Sequence, residues 1–364
     1  MTGHGGTPRR IYVDQTHLRG HVTGIERVAT YLLSSQALAP HEVREIRSTS
    51  LASLIAWQQI GLPALGLADR SALFVFPGFP PGPLSMALGT RCITYVHDTF
   101  LITRSQELNW RSRLYMAPSF AFAARLGRRF LVNSRTTGLA LRAFCRRDAL
   151  VALMRPRVRD VFGLAELPGP ATHRLGEPLR LLAIGTIEPR KDYPAMIAIA
   201  AALHAAGIAV ELHLVGRTGW GRHAFLADPP PFLTVHGYLD DGGLRALVAR
   251  CHLLMSTSRA EGLGLPLLEA QHGGLPVVAP EGEVFSEVLG ASGMFITPSD
   301  PEKAAATLIQ GLRDGRIRAM AEQARPNVER WNVLAARDAE RFRAFLDIGD
   351  DAYADDLDGI VAPA

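Results

Sequence analysis

Lysine is nearly missing from this chain: Lys191 and Lys303 are the two lysines in a total of 39 basic residues, the rest being arginine. Where arginine has displaced lysine elsewhere, a retained compact ammonium suggests a point-charge contact of the kind phosphate receives. Cysteine is scarce too. Cys92, Cys145 and Cys251 are widely spaced and fall in no paired motif, which argues against a disulfide framework or a zinc site and fits a reducing cytoplasm. No uninterrupted apolar run reaches the roughly 18 residues that a membrane span requires. The longest candidate, Ala195–Val210, is broken by His204 and Gly207 and reads as helix plus strand, so no span is expected. Met1–Arg10 is polar, without the apolar core of a secretory signal. The Asp pairs at 240–241, 350–351 and 355–356 lack a supporting ligand pattern, so no metal site is expected. Gly20 and Gly24 do not make a Gly-x-Gly-x-x-Gly loop, and a nicotinamide dinucleotide is not expected either.

What is present suffices for about two domains, because 364 residues exceed one ordinary core. The formal net charge of +4 conceals a division. Residues 1–165 hold 21 Arg, no Lys and nine acidic residues, a net of +12, and the remainder sums to −8. A basic first half points to an anionic partner: nucleic acid, a phospholipid surface or a phosphate-linked substrate. No stacking motif accompanies the charge, so nucleic acid is not expected, whereas peripheral docking on an anionic membrane is. The aromatic and basic run from Trp110 to Arg129 reads either as an interfacial helix or as a core helix with basic flanks. Asp347, Asp350, Asp351, Asp355, Asp356 and Asp358 crowd the end of the chain, and 347–364 is expected to be a disordered acidic tail.

Short apolar runs alternate with helical patterns. Ile11–Val13, Ala72–Phe76, Cys92–Val96, Phe130–Val132 and Leu150–Leu153 read as strands, with helices including Ile25–Leu33 and Gln106–Leu126. Pro and Gly then mark 166–178 as a linker. The alternation restarts with strands Leu179–Ile184, Val210–Val215, Leu233–Tyr238, His252–Met255, Val277–Ala279 and Met294–Ile296. Apolar strands separated by helices imply parallel sheets covered on both faces. The expected class is therefore α/β, with doubly wound domains over 1–165 and 179–330 and a helix over 331–346 crossing back to the first. Ligands of such sheets sit at the carboxyl ends of strands. His97 and Asp98 follow Ile93–Val96 there, and Gly185–Asp192 follows the first strand of the second half.

The densest constellation is Ser256–Glu269. Glu261 and Glu269 flank Gly262-Leu263-Gly264-Leu265, which runs into a helix near Pro266. Proline in a first turn loses no hydrogen bond and the glycines leave amides bare, so this helix start would receive an anion. Surface acids at a helix start would explain each glutamate singly. They would not explain the surrounding leucines, which leave a buried carboxylate in need of a partner. Two acids beside an anion site suit a ligand that is both phosphate and polyol. Arg190 and Lys191 are an ordinary solvated turn in isolation, but they are expected at the same sheet edge.

In order and spacing, Glu261-x7-Glu269, Gly185-Thr-Ile-Glu-Pro-Arg-Lys, Val215–Gly221, His236-Gly-Tyr-Leu239, Gly273–Val278 and Glu287-Val-Leu-Gly290 resemble the family-four retaining glycosyltransferases of the GT-B fold. The likeness covers roughly residues 10–345, with Thr23-Gly24-Ile-Glu-Arg and Val96-His-Asp matching less tightly. It implies two Rossmann-like domains facing across a cleft, with a nucleotide sugar held mainly by the second. On that likeness Glu261 and His97 would attend the transferred sugar as catalytic residues, Glu269 the ribose, and Tyr238 with Leu239 the base. Arg190 and Lys191 would neutralise the diphosphate, amides of Gly262, Leu263, Gly264 and Leu265 would steady sugar and phosphate, and Gly24 would admit the diphosphate and acceptor. Some members place Arg where this chain has Thr186, which moves the cationic load here onto Arg190 and Lys191. No cofactor or metal is implied. The expected reaction is retaining hexosyl transfer, with mannose and GDP-mannose favoured, to a glycan or lipid-diphosphate-linked acceptor at the cytoplasmic face of a membrane. Two rivals differ from it: a GT-B nucleotide-sugar epimerase would form product without acceptor, and a non-catalytic nucleotide-sugar-binding module would not hydrolyse donor.

Overall fold

The computed structural model describes residues 8–18, 24–108, 112–174 and 176–348. Gly20, Thr23, Trp110, Arg111 and the acidic tail from 349 onward lie outside the described residues. The chain divides into two units, Met1–Arg157 with Val333–Ala364, and Val158–Asn332.

The first unit is built on β1 (Arg10–Asp14), β2 (Glu42–Ile46), β3 (Leu73–Phe76), β4 (Cys92–Val96), β5 (Arg129–Val132) and β6 (Leu150–Leu153). They form one parallel sheet in the order β2-β1-β3-β4-β5-β6. β3, β4 and β5 are buried at every position, as strands covered on both faces must be. β2 is the edge, largely exposed, with Glu42 paired to Arg10 at 3.0 Å. Charge on an edge discourages pairing with another chain. The helix expected over 106–126 is interrupted: a wide turn spans Ser112–Met116 and the α-helix proper is Ala117–Leu126. Pro118 explains the late start, since a residue without an N–H fits only a first turn.

The second unit carries β7 (Leu179–Ile184), β8 (Val210–Val215), β9 (Leu233–Gly237), β10 (Leu253–Met255), β11 (Val277–Pro280) and β12 (Gly293–Ile296), all parallel, in the order β12-β11-β10-β7-β8-β9. Successive residues of β7 serve opposite faces. Leu181 packs with Ile199, Leu203 and Leu308, whereas Leu182 packs with Leu254, Leu268 and Trp331.

Two boundaries differ from those expected. Val158 and Leu164 are buried in the same core as Trp331, so the second unit begins at Val158, and residues 158–165 do not belong to the first. Within 166–178, Leu167 accepts a hydrogen bond from Arg325 at 2.6 Å, which ties the Pro/Gly-rich stretch to the second unit. The final helix is one run, Arg316–Ile348, passing through Pro326. From Val333 its residues group with the first unit, where Asp338 receives Arg155 at 2.9 Å with both side chains buried.

One helix among the described residues meets the length and composition test for a membrane span. Leu51–Ala68 is 18 residues of continuous helix with mean hydropathy 1.3, long and apolar enough to cross a bilayer by length and composition, and 22% of it is buried. Gln58, Gln59 and Pro63 interrupt the apolar run in sequence but not the helix. Pro63 instead marks a wide turn at Trp57–Gly61, where Leu62 donates to the Trp57 carbonyl.

Candidate active site

In the second sheet the chain builds outward to β8 and β9 on one side of β7, then returns to place β10, β11 and β12 on the other. The loops leaving the carboxyl ends of β7 and β10 therefore lie side by side at the switch point where such sheets bind ligands. The loop after β7 is also pressed against the loop after β8. A Cβ on Gly216 would stand 1.9 Å from the Gly185 carbonyl oxygen, so only glycine fits.

The two switch-point loops are laced together. The Arg259 amide donates to the Arg190 carbonyl at 2.9 Å, and Thr257 Oγ1 reaches the carbonyls of Asp192 and Lys191 at 2.9 and 3.1 Å. Asp192 has φ 50°, the left-handed region, alone among the described non-glycine residues. Its carboxylate accepts from Arg259 Nε at 2.8 Å. Aspartate tolerates this conformation better than most residues, and here both its carbonyl and its side chain are held from the other loop. The turn Pro189–Lys191 is thereby fixed with its two cations facing Glu261.

Glu261 accepts from Lys191 Nζ at 2.5 Å and from Arg190 Nη1 at 2.9 Å, and its side chain is 9% exposed. Arg190 also donates to the Ala260 carbonyl at 2.6 Å and to Glu188 at 2.5 Å. Two carboxylates and two cations thus form a buried cluster whose formal charges cancel. Burial by itself would raise the Glu261 pKa. The charges of Lys191 and Arg190 outweigh it, aided by hydrogen bonds from Lys191 and Ser258, and hold the carboxyl at about 2. Beside the cluster is a cavity of about 20 Å³ lined by Lys191, Thr257, Ser258, Glu261 and Gly264, room for about one water. In this arrangement an anion would reach the two cations only by displacing the carboxylate.

Of the remaining residues expected here, Gly264 has φ 80° and starts the helix Leu265–Gln271, with Pro266 in its first turn and no side-chain cap. Leu263 is buried with Leu267 and Leu268, which directs this turn inward. Gly262 and Leu265 are half-buried, as is Glu269, which shares the less buried side of the helix with Leu265 and Pro266. Tyr238 follows β9 and is 66% exposed, with the Arg217 guanidinium 4.8 Å from its ring centre. The Leu239 side chain packs against the second unit's core.

The structure places His97 and Gly24 in the first unit. His97 follows β4, and its Nε2 lies 2.6 Å from the Pro77 carbonyl. A carbonyl only accepts, so Nε2 carries the proton, and in the neutral ring Nδ1 is the acceptor. Burial lowers its pKa to about 4 against the pull of that carbonyl, so the ring is neutral at neutral pH. Asn133 Nδ2 donates to the His97 carbonyl at 2.9 Å. Gly24 is half-buried at the start of the helix Gly24–Leu32.

Five participants escaped the sequence reading. Glu188 completes the charge cluster, Asp192, Thr257 and Ser258 hold it, and Arg217 covers Tyr238. Glu188 and Asp192 bracket Pro-Arg-Lys, and that spacing was the available signal. The other three lie within Ser256–Glu269 and Val215–Gly221, where the motifs by themselves give them no role.

Residues 178–314 match the family model described as Glycosyl transferases group 1. O-antigen chain mannosyltransferase B of Escherichia coli is 31% identical over 146 residues, which span 38% of this chain and 38% of that protein. Sucrose-phosphate synthase from Thermosynechococcus elongatus shares the fold with a TM-score of 0.69 at 16% identity, covering 93% of this chain and 99% of the other. Anabaena HepE, solved with UDP and glucose, gives a TM-score of 0.63 at 16% identity, covering 92% and 99%. The architecture is that of a two-domain GT-B protein. The match to the group 1 glycosyltransferases lies within its second unit.

Proposed function

We propose that this chain transfers a hexose, with mannose favoured, from a nucleoside-diphosphate sugar to a hydroxyl of a glycan or lipid-linked acceptor, retaining the anomeric configuration. The observation that carries the reading is the meeting of Arg190, Lys191 and Glu261 at the switch point beside an uncapped helix start. Breaking the bond from sugar to diphosphate builds negative charge on the leaving group, and preorganised cations and amides that meet it lower the barrier. In this reading Arg190, Lys191 and the amides from Gly262 to Leu265 take that charge, so the step requires no metal. Glu261 holds sugar hydroxyls, Glu269 the ribose, and exposed Tyr238 with Arg217 the base. His97 attends the transferred sugar as a catalytic residue, and Gly24 admits the diphosphate and acceptor. A phosphate oxygen of the departing diphosphate takes the acceptor proton, which leaves no enzyme base to assign. Mannose is favoured by the mannosyltransferase relative and by the Gly185–Lys191 motif. GDP-mannose is accordingly the favoured donor, although the HepE structure pairs a similar fold with UDP.

A panel of GDP-, UDP- and ADP-sugars tests the proposal in two readouts, thermal shift and release of free nucleoside diphosphate. GDP-mannose is expected to give the largest shift and slow hydrolysis without acceptor. Failure of every donor to shift or turn over would refute the reading. A shift without any release would favour a binding module.

A further inference from the structure

We propose that the exposed side of the helix Leu51–Ala68 is a seat for an anionic lipid bilayer, lying in the plane of the membrane rather than crossing it. The inference goes beyond the transfer reaction and does not rest on it.

One side of this helix is fixed to its own domain. Leu54, Gln58, Leu62 and Gly66 recur at every fourth position and face inward. Leu62 packs with Phe74, Phe76 and Leu88, and a Cβ on Gly66 would stand 2.2 Å from the Leu88 side chain. Gln58 Nε2 donates to Asp14 at 2.9 Å, and Ser85 Oγ donates to the Gln58 carbonyl at 3.1 Å. A helix anchored along its length in this way cannot turn upright across a bilayer while the domain stays folded. It can only lie flat.

The opposite side inverts the usual pattern, in which the outward face of a surface helix is polar. Leu51, Ile55, Ile60 and Leu67 are 58%, 37%, 67% and 76% exposed, and the other exposed positions between Leu51 and Ala68 are all alanine. Leu84, 58% exposed, belongs to a neighbouring turn, since a Cβ on Gly82 would meet the Gln59 side chain. The most exposed positions carry no charge and no hydrogen-bonding side chain, with Ser53, Trp57 and Gln59 half-buried beside them. Protein interfaces carry about one hydrogen bond per 100–200 Å² and a polar rim; lipid tails ask for neither.

Charge around the face fits the same occupant. Between Ile46 and His97 the one carboxylate is Asp69, already paired with Arg10 at 3.0 Å. The cations in that span are Arg47, Arg70 and Arg91. Arg47 precedes the helix, 64% exposed and paired with Glu45 at 2.8 Å, Arg70 follows it and is exposed, and Arg91 reaches the carbonyls of Gly66 and Asp69 near its last turn. An apolar stripe bracketed by arginines matches the boundary between acyl chains and anionic headgroups.

The test is flotation of the full-length protein with phosphatidylcholine vesicles containing phosphatidylglycerol, at low and high salt, beside Ile60→Ser/Leu67→Ser. Partition of the parent is expected to weaken but persist at high salt, because apolar insertion is not screened. The double variant is expected to lose at least about tenfold in partition. Its melting temperature should equal the parent's, as both side chains are exposed. If it does not, Leu51→Ser/Ile55→Ser at the other end of the same face decides. Three results would overturn the proposal: no flotation of the parent, equal flotation of the variants, or a parent dimer in sedimentation that the variants dissolve. The last would assign the face to a second copy.

Discussion

Replacing Glu261 by Gln keeps the side chain's shape and removes its charge. In the parent that carboxylate is held by Lys191 and Arg190 at 2.5 and 2.9 Å and is almost out of solvent. Its pKa falls from an ordinary 4.5 to about 2, the two cations overcoming a burial that acts in the other direction. Such a depression corresponds to about 3 kcal/mol. The folded-state value lies below the unfolded one, so this stabilisation is fully present above about pH 4.5 and is lost as pH falls toward 2. Glu261→Gln should therefore be less stable than the parent at pH 7 by up to about 3 kcal/mol, with the gap closing below pH 4.5. Binding should move the opposite way. A diphosphate must displace the parent carboxylate from both cations, and if half of the coupling goes to that displacement, the variant binds about tenfold more tightly. Turnover should fall by about two to three orders of magnitude, as loss of a transition-state contact does. Calorimetry with GDP and UDP, denaturation at pH 7 and pH 3, and donor turnover read the three effects. A folded variant that binds neither nucleotide more tightly than the parent refutes the displacement argument, and a stability gap independent of pH refutes its electrostatic basis.

Glu269→Ala should chiefly weaken binding of the free nucleoside diphosphate; unchanged calorimetric affinity would remove it from the ribose. Tyr238→Ala breaks the stack with Arg217 and should weaken nucleotide binding about fivefold, on the order of 1 kcal/mol, with kcat retained. A comparable loss of kcat would show that the ring does more than hold the base. Gly216→Ala forces a Cβ onto the Gly185 carbonyl and should cost roughly 2 kcal/mol or more in urea denaturation; a parent-like midpoint would mean the two loops separate freely. Arg155→Ala takes the guanidinium from the buried carboxylate of Asp338, which keeps the residue 155 amide, a loss of about 3 kcal/mol for a broken buried pair. Chemical denaturation resolving no loss of that size would place the end of the long helix outside the first unit's stability.

Strands dominated by apolar residues were the legible ones. β4, β6, β7 and β8 lie at the expected residues because burial leaves mostly apolar runs, broken only at Thr94, Arg180, Glu211 and His213. β2 was not legible. Glu42-Val-Arg-Glu-Ile is held by its parallel register with β1 and by edge ion pairs, so neither face writes a hydrophobic pattern. Leu51–Ala68 failed for the converse reason. Apolar residues on the exposed side fill the gaps between the buried ones, and the fourfold period of Leu54, Gln58, Leu62 and Gly66 disappears into them. The boundary at Val158 escaped because its burial depends on Trp331, far along the chain, and no local composition records that contact.

For the site, residue types and strand ends were legible, but the pairings were not. Arg190 and Lys191 were read as waiting for phosphate and Glu261 for hydroxyls, each as an open valence. In the structure they satisfy one another, with Glu188 closing the set. Physical necessity favours this arrangement, since an unpaired charge in so buried a place would cost several kcal/mol. The proposed reaction then becomes an exchange of partners. As phosphate oxygens take Arg190 and Lys191, the hydroxyls of the sugar donate to Glu261, so its carboxylate exchanges ion pairs for hydrogen bonds and is never left without donors. An exchange of this kind needs a cation that can swing between two acceptors with little geometric demand. The ammonium of Lys191, a point charge on a flexible stem, meets that need better than the planar fork of arginine, which gives a physical reason for a lysine at this position in a chain that has almost none.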